Sequence, residues 1–310
     1  VGQHLTWLLP QLDFLRKNMG CQSFTAIVED HSVDQTETLL KKWQASQSTP
    51  KHEILVITDF PNSDPSRPKR IAKARNRILK VFKEKGMCRV KDGLMIMLDM
   101  DGELAGRLPS PSELKKAIKD APKNWMGLTA VTPMYYDSWA LRSPWCTKDW
   151  VHECTRGEAE ALKRKVRVKY AQNLSPIPVE SAFNGFGIYR ASAVCRSNTC
   201  YSGWDEKHSR EICEHVPFSR SLNQAFPYLQ IYLVPSLRLG TKDTWEKSRA
   251  PPFPKSLEKR AGVVVDTAVV DTVQKKKSRR ILVWVLIGSS VALLVAVILI
   301  LSLLKPYKNV

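Results

Sequence analysis

Leu94-Met95-Ile96-Met97-Leu98 is an uncharged run held between Gly93 and the sequence Asp99-Met100-Asp101-Gly102. A wholly apolar run this short, bounded by turn residues, predicts a strand buried on both faces. Such a strand needs cover on either side, which points to an α/β layered domain rather than an open sheet. Phe24–Val28, Glu53–Ile57, Trp125–Val131, Phe186–Tyr189 and Leu229–Val234 read as further strands. Between them, Leu5–Met19 (stopped by Gly20), Arg70–Lys85 (stopped by Gly86), Ser112–Asp120 and Asp149–Lys165 have helical spacing. Asp34 is placed to cap another helix, with Leu39, Leu40 and Trp43 on its inner face, and Pro61–Pro68 reads as a loop. The alternation predicts a largely parallel sheet. A helix comes before any strand, so the expectation is that the first strand of the sheet is missing from this sequence.

Residues 281–304 are 24 in a row without a charge, long enough to span a bilayer as a helix. Residues 246–280 contain Pro251, Pro252 and Pro254 and many charges, and read as a stalk. The expected organisation is a domain over 1–245, a stalk over 246–280, a transmembrane helix over 281–304 and a short tail over 305–310. Lys275, Lys276, Lys277, Arg279 and Arg280 precede the apolar run, while only Lys305 and Lys308 follow it. The positive-inside rule therefore predicts a cytoplasmic domain, and a lumenal one if a signal peptide is missing from the N-terminus.

The net charge is +18, of which +6 falls on residues 246–280 and +2 on 305–310. A basic body favours acidic partners, but the chain has no Arg/Lys-aromatic motif of a nucleic-acid reader, which makes nucleic acid an unlikely partner. The seven cysteines are scattered and form no evident disulfide framework. Cys195–Cys200 or Cys200–Cys213 pairing is expected only in a lumenal domain. Zinc on Cys195, Cys200, Cys213 and His215 is a weak alternative, because their spacing fits no common finger.

Asp99 and Asp101 stand where a buried strand meets a loop. Ligands of open α/β sheets bind at the carboxyl ends of the strands. Paired hard oxygen donors there suit Mn²⁺ or Mg²⁺ with phosphate as a co-ligand. Asp101 is the better direct ligand, with Asp99 turned to a ribose or supporting the metal. Asp30 lies just past a strand end and could accept an N–H from a nucleobase. Arg75 and Asn76 lie on a helix near the strand ends, where a guanidinium could grip a diphosphate.

Three segments occur in order: Glu29-Asp30-His31-Ser32-Val33-Asp34-Gln35-Thr36, then Arg70-Ile71-Ala72-Lys73-Ala74-Arg75-Asn76, then Asp99-Met100-Asp101. Together they resemble the nucleotide-sugar half of a GT-A-fold glycosyltransferase, of family-2-like and capsular mannosyltransferase-like type. Downstream, Tyr135-Tyr136-Asp137-Ser138-Trp139-Ala140-Leu141-Arg142, Ser181–Arg190 and Cys213-Glu214-His215-Val216-Pro217-Phe218 resemble further blocks of such proteins. Asn184 departs from the first Gly of the Phe-Gly-Gly-type segment. The resemblance covers about residues 5–240 and implies a Rossmann-like mixed sheet flanked by helices. It implies an enzyme moving a sugar from a nucleotide-sugar donor to a glycan or glycoprotein, with inversion the preferred chemistry. Donor-binding residues would be Glu29, Asp30, Asp34, Arg70, Arg75, Asn76 and Asp99. Acceptor-binding residues would be Tyr136, Asp137, Trp139, Arg142, Asn184 and Gly185. Metal ligands would be Asp99, Asp101 and His215, and the base Glu214, with Asp205 and Glu211 as other candidates. Trp139 and Trp204 could stack on a sugar.

Two rival readings start from the same residues. Asp-x-Asp-Gly after an apolar strand also resembles the first motif of the haloacid dehalogenase phosphatases, with Asp99 as nucleophile and Asp101 as acid/base. There the motif usually opens its domain, and Glu103 replaces the usual Thr or Val. The other rival is a non-enzymatic, membrane-tethered basic binding module.

Overall fold

The computed structural model describes residues 2–61, 63–100, 107–132, 135, 137–172, 175–240, 282–288 and 293–300. Helix α1 (Gly2–Asn18) leads into β1 (Ser23–Asp30), α2 (Thr36–Gln47), β2 (His52–Ile57) and α3 (Arg67–Glu84). A 3₁₀ turn at Met87–Arg89 precedes β3 (Leu94–Leu98), α4 (Pro111–Asp120), β4 (Trp125–Val131) and α5 (Arg156–Gln172). Then follow β5 (Ile177–Val179), β6 (Phe186–Arg190), α6 (Ala191–Arg196), β7 (Trp204–Asp205), β8 (Arg210–Glu211), α7 (His215–Ala225) and β9 (Gln230–Arg238). The last described strands are β10 (Leu282–Gly288) and β11 (Leu293–Ile300).

The strands form a mixed sheet flanked by helices. One set runs β10-β11-β1-β2, another β3-β6-β4-β9-β5, with β7-β8 a separate hairpin. β1 is parallel to β2, and β4 to β9, but β6 is antiparallel to both β3 and β4, and β5 to β9. The expectation of a largely parallel sheet is corrected: β6 runs antiparallel to both its neighbours and β5 to β9, so the sheet is mixed although helices stand between these strands in the chain.

β3 is buried along its whole length. Side chains alternate across it: Met95 and Met97 join one core, Leu94, Ile96 and Leu98 the other. The first core includes Ile71, Ala74, Ile78 and Phe82 of α3 with Val216, Phe218 and Leu222 of α7. The second packs Leu8, Leu12 and Leu15 of α1, Leu40 and Trp43 of α2, and Leu114 of α4. Helices thus cover both faces, and the sheet's strand ends are left for chemistry.

Several boundaries differ from expectation for local reasons. α3 starts at Arg67 because the Ser66 side chain accepts from Lys69 N, with Pro68 in its first turn. Ser110 and Glu113 form a capping box that starts α4 at Pro111. Asp34 is not the cap of α2. That position is Gln35, while Asp34 accepts from Thr36 N at 2.9 Å in an Asx-type turn. Asp149–Thr155 is not helical, because Asp149 is held by Arg142 and Trp139; Thr155 and Glu158 cap α5 reciprocally instead.

Within the expected transmembrane span 281–304, the described residues form strands rather than a helix. Leu282–Gly288 and Leu293–Ile300 form an antiparallel pair, and Leu293–Ile300 pairs along the full length of β1, from Asp30 to Ser23. Among the described residues no helix is long and apolar enough to cross a membrane. A Val- and Ile-rich run can satisfy its backbone in a helix or against an open strand edge, and β1 offers such an edge. The stalk, the tail and Asp101 lie outside the described residues, as does Tyr136.

Candidate active site

Arg75 organises the site. Helical spacing turns this side chain inward with Ala74 and Ile78, and it is only 2% exposed. Its Nη2 donates to Asp99 Oδ1 at 3.0 Å, and its Nη1 donates to Glu214 Oε1 and to His215 Nε2. The guanidinium lies 4.7 Å from the Phe183 ring centre and 5.4 Å from that of Tyr201. His215 stacks on Phe183 at 3.7 Å, and Tyr201 stacks on Phe218 at 4.3 Å. A cation is thereby caged by two carboxylates and two aromatic faces.

The electrostatics follow from burial. Arg75 would be lowered by burial, but Glu214 and Asp99 outweigh that and raise it, so it stays charged. Burial and the neighbouring Arg75 push His215 well below its usual range, so its imidazole is neutral. Its Nε2 accepts from Arg75, which leaves the hydrogen on Nδ1. Burial pushes Asp99 up to about 6, with Glu214 adding and Arg75 opposing.

Asp137 completes the acidic group. Its oxygens accept from Asn184 N at 2.9 Å and Ala140 N at 3.3 Å. Burial raises it to about 7 against the Asn184 hydrogen bond, with Asp99 and Glu214 adding and Arg75 opposing. The folded state therefore holds this proton more tightly than the unfolded chain does. Asp137 contributes stability below about pH 4 that is lost as pH rises towards 7. Asp137→Asn is expected to flatten that decline, which urea unfolding at pH 5 and pH 8 measures. An unchanged slope would remove Asp137 as its source.

Other site candidates are hydrogen-bonded to the surrounding loops. The Asn76 amide clasps the Tyr201 backbone in both directions, at 2.8 Å each. Gly203 packs against the start of α3; a Cβ there would lie 2.2 Å from Pro68 C. Arg142 donates to the Trp139 and Leu141 carbonyls and to Asp149 Oδ2, and Trp139 Nε1 donates to Asp149 as well. Asn184 has a positive φ of 58° and bonds Thr132, while Gly185 O accepts from Asp99 N at 2.9 Å. The Asn184-Gly185 turn is thus what fixes the end of β3.

At the end of β1, Glu29 accepts from His31 N and Ser32 N and so closes the turn. Asp30 faces Arg70 at 3.9 Å. Asp205 lies on the β7–β8 hairpin, paired with His208 at 2.8 Å, and makes no hydrogen bond to the Arg75 group among the described residues. Glu211 lies on the same hairpin. The Trp204 ring is covered by Lys69 at 4.1 Å.

Comparison with protein-family models, curated proteins and solved structures finds no match.

The zinc alternative fails, because Cys195 is disulfide-bonded to Cys88. Neither Cys195–Cys200 nor Cys200–Cys213 pairs; Cys200 is exposed and Cys213 buried, both as free thiols. The partner was missed because Cys88 and Cys195 are 107 residues apart, with no local signal linking them. Phe183 and Tyr201 were also missed, since ring stacking on a buried cation is a tertiary property.

Asp99 offers a hard oxygen donor at the strand end. His215 Nε2 is already taken by Arg75, so that nitrogen reaches a metal only if Arg75 moves aside. No group of three candidate ligands is assembled among the described residues.

Proposed function

We propose that the chain is a metal-dependent glycosyltransferase that moves a sugar from a nucleotide-sugar donor to a glycan or glycoprotein acceptor. The observation that carries this reading is the meeting of Arg75, Asp99, Glu214 and His215. Arg75 is 24 residues from Asp99 and 139 from Glu214. The four residues come from three different segments of the glycosyltransferase resemblance, Glu214 and His215 sharing one. Segments so far apart converge on one strand end, where α/β sheets bind ligands.

In this reading Asp99 and Asp101 hold Mn²⁺ or Mg²⁺. The ion would supply charge neutralisation to the departing nucleoside diphosphate. Arg75 keeps a fixed positive charge beside Asp99 and orients the Glu214 carboxylate. Glu214 Oε2 has no protein partner among the described residues and is the oxygen offered to the acceptor hydroxyl as base. Asp30 at the end of β1 and Arg70 on α3 face the nucleoside. The GT-A assignment belongs to this proposal, as does preferred inversion.

We also propose that the domain is lumenal and that residues 281–304 attach it to a membrane. The Cys88–Cys195 disulfide supports an oxidising compartment over the cytoplasm. The uncharged run supports lipid contact, with the β1 edge as its partner when no bilayer is present. Resistance to carbonate extraction, lost on deletion of 281–304, is the expected result. A fully extractable chain would reject membrane attachment.

The decisive assay offers the full chain a panel of nucleotide sugars with and without Mn²⁺. Turnover is expected only with the ion. Asp99→Asn is expected to lose at least about 100-fold in kcat, the scale of removing one preorganised electrostatic group. Equal turnover in the variant would sink the assignment. Phosphate release from phosphomonoesters would favour the phosphatase reading instead, and salt-sensitive nucleic-acid binding without turnover the binding module.

A further inference from the structure

At the opposite end of β3 from Asp99 lies a second concave site, of about 350 Å³. Leu94, Ile118 and Trp125 form its apolar part. Four cations line it, Arg89, Lys91, Arg190 and Arg196, against a single carboxylate, Asp92. Leu94 to Asp99 is five residues of extended chain, roughly 16 Å at strand rise. The two sites are therefore separate.

We infer that this pocket binds a small phosphate or sulfate oxyanion, free or as the ester group of a small ligand. Its volume is that of a small-molecule site rather than a polymer groove. Arg89, Lys91 and Arg196 are exposed, and among the described residues none forms a salt bridge. Grouping cations without carboxylate partners costs free energy that a bound oxyanion recovers through charge-assisted hydrogen bonds. Arg190 is already oriented. Its guanidinium lies 4.6 Å over the Trp125 ring, and its Nη2 donates to Lys123 O at 3.3 Å.

The covalent frame assembles the rim. Arg89 and Arg196 each directly follow a half-cystine, and the Cys88–Cys195 bond brings them together from distant parts of the chain. The turn at Val90–Gly93, closed by Gly93 N to Val90 O at 3.1 Å, sets Lys91 beside them. Gly93 is required there because a Cβ would meet Val90 Cγ1 at 2.8 Å.

The test is calorimetric titration of the oxidised full chain at low ionic strength. The probes are inorganic phosphate, glucose 6-phosphate, and phosphatidylcholine vesicles with and without phosphatidic acid. Saturable binding is expected, weakened about tenfold by Arg89→Ala or Arg196→Ala and unchanged by Lys80→Ala on α3. Both arginines are exposed, so folding should survive, and far-UV circular dichroism checks it. Tighter binding of glucose 6-phosphate identifies a sugar ester as the ligand. Equal binding of inorganic phosphate identifies the free ion, and binding only to phosphatidic acid vesicles a lipid headgroup. Each supports the oxyanion site if Arg89→Ala weakens it. Absence of saturable binding to all three probes would overturn the inference. So would equal weakening by Lys80→Ala, which would assign binding to net charge.

Discussion

Arg75→Ala is expected to destabilise the protein by about 3–5 kcal/mol, the cost of removing one partner from a buried ion pair. The guanidinium is the shared countercharge of Asp99 and Glu214, and no other cation is hydrogen-bonded to Glu214 among the described residues. Its loss also leaves His215 Nε2 without its donor and the Phe183 face uncovered. The effect has a pH signature. Asp99 is already raised to about 6, so the folded state favours its protonated form. Protonation relieves part of the repulsion in the variant below that value, and the loss grows as pH rises through it. Urea unfolding of wild type and variant at pH 5 and pH 8 measures both features. A loss under about 1 kcal/mol, the range of exposed pairs, would show that the cluster is not held by this cation. Combining Arg75→Met with Asp99→Asn and Glu214→Gln should restore part of the loss, since the carboxylates then need no countercharge.

The layered fold was legible because the strands are buried on both faces. Leu94–Leu98 matches β3 at both ends, and Trp125–Val131 matches β4. Sheet direction was not legible, because antiparallel β6 enters through a turn at Asn184-Gly185 whose positive φ values mark no strand polarity. The shortest elements, β5, β7, β8 and α6, carry too few residues to show a period. Residues 281–304 exposed the limit of hydropathy most sharply. An uncharged run states that its side chains avoid water, but it does not state whether its backbone bonds to itself or to a neighbouring strand.

The candidate site was legible in its charged members and opaque in their arrangement. Arg75, Asp99, Glu214 and His215 were each singled out, and the fold joins them in one hydrogen-bonded group. Asn76 and Arg142 were singled out too, but their side chains bond backbone carbonyls and hold loops. A polar residue in a motif does not disclose whether it faces a ligand or a loop; that depends on chain segments more than 100 residues away. Asn76 and Tyr201 are 125 apart.

Replacing Cys88 and Cys195 with Ser is expected to cost the oxidised protein about 4.7 kcal/mol, the chain-entropy value for a loop of about 100 residues. The bond closes a loop spanning 107 positions, which contains β3, α4, β4, α5, β5, β6 and most of α6. It therefore restrains in the unfolded chain the segments that carry Asp99, Asp137 and Asn184, while Arg75, Glu214 and His215 lie outside the loop. The wild-type protein unfolded in reducing buffer should match the double Ser variant, whose own stability should not respond to reductant, whereas Cys213→Ser, at a free thiol, keeps the bridge and should lose as much on reduction as wild type. Mass spectrometry of non-reduced peptides checks the pairing directly. The same comparison separates compartments. A chain recovered from cells with Cys88 and Cys195 as thiols would place the domain in a reducing environment and reject the lumenal assignment. A bridged chain would have matured where disulfides persist. Stability falling by under about 1 kcal/mol on reduction would mean that packing of α6 against the 3₁₀ turn, not the covalent link, holds the loop closed.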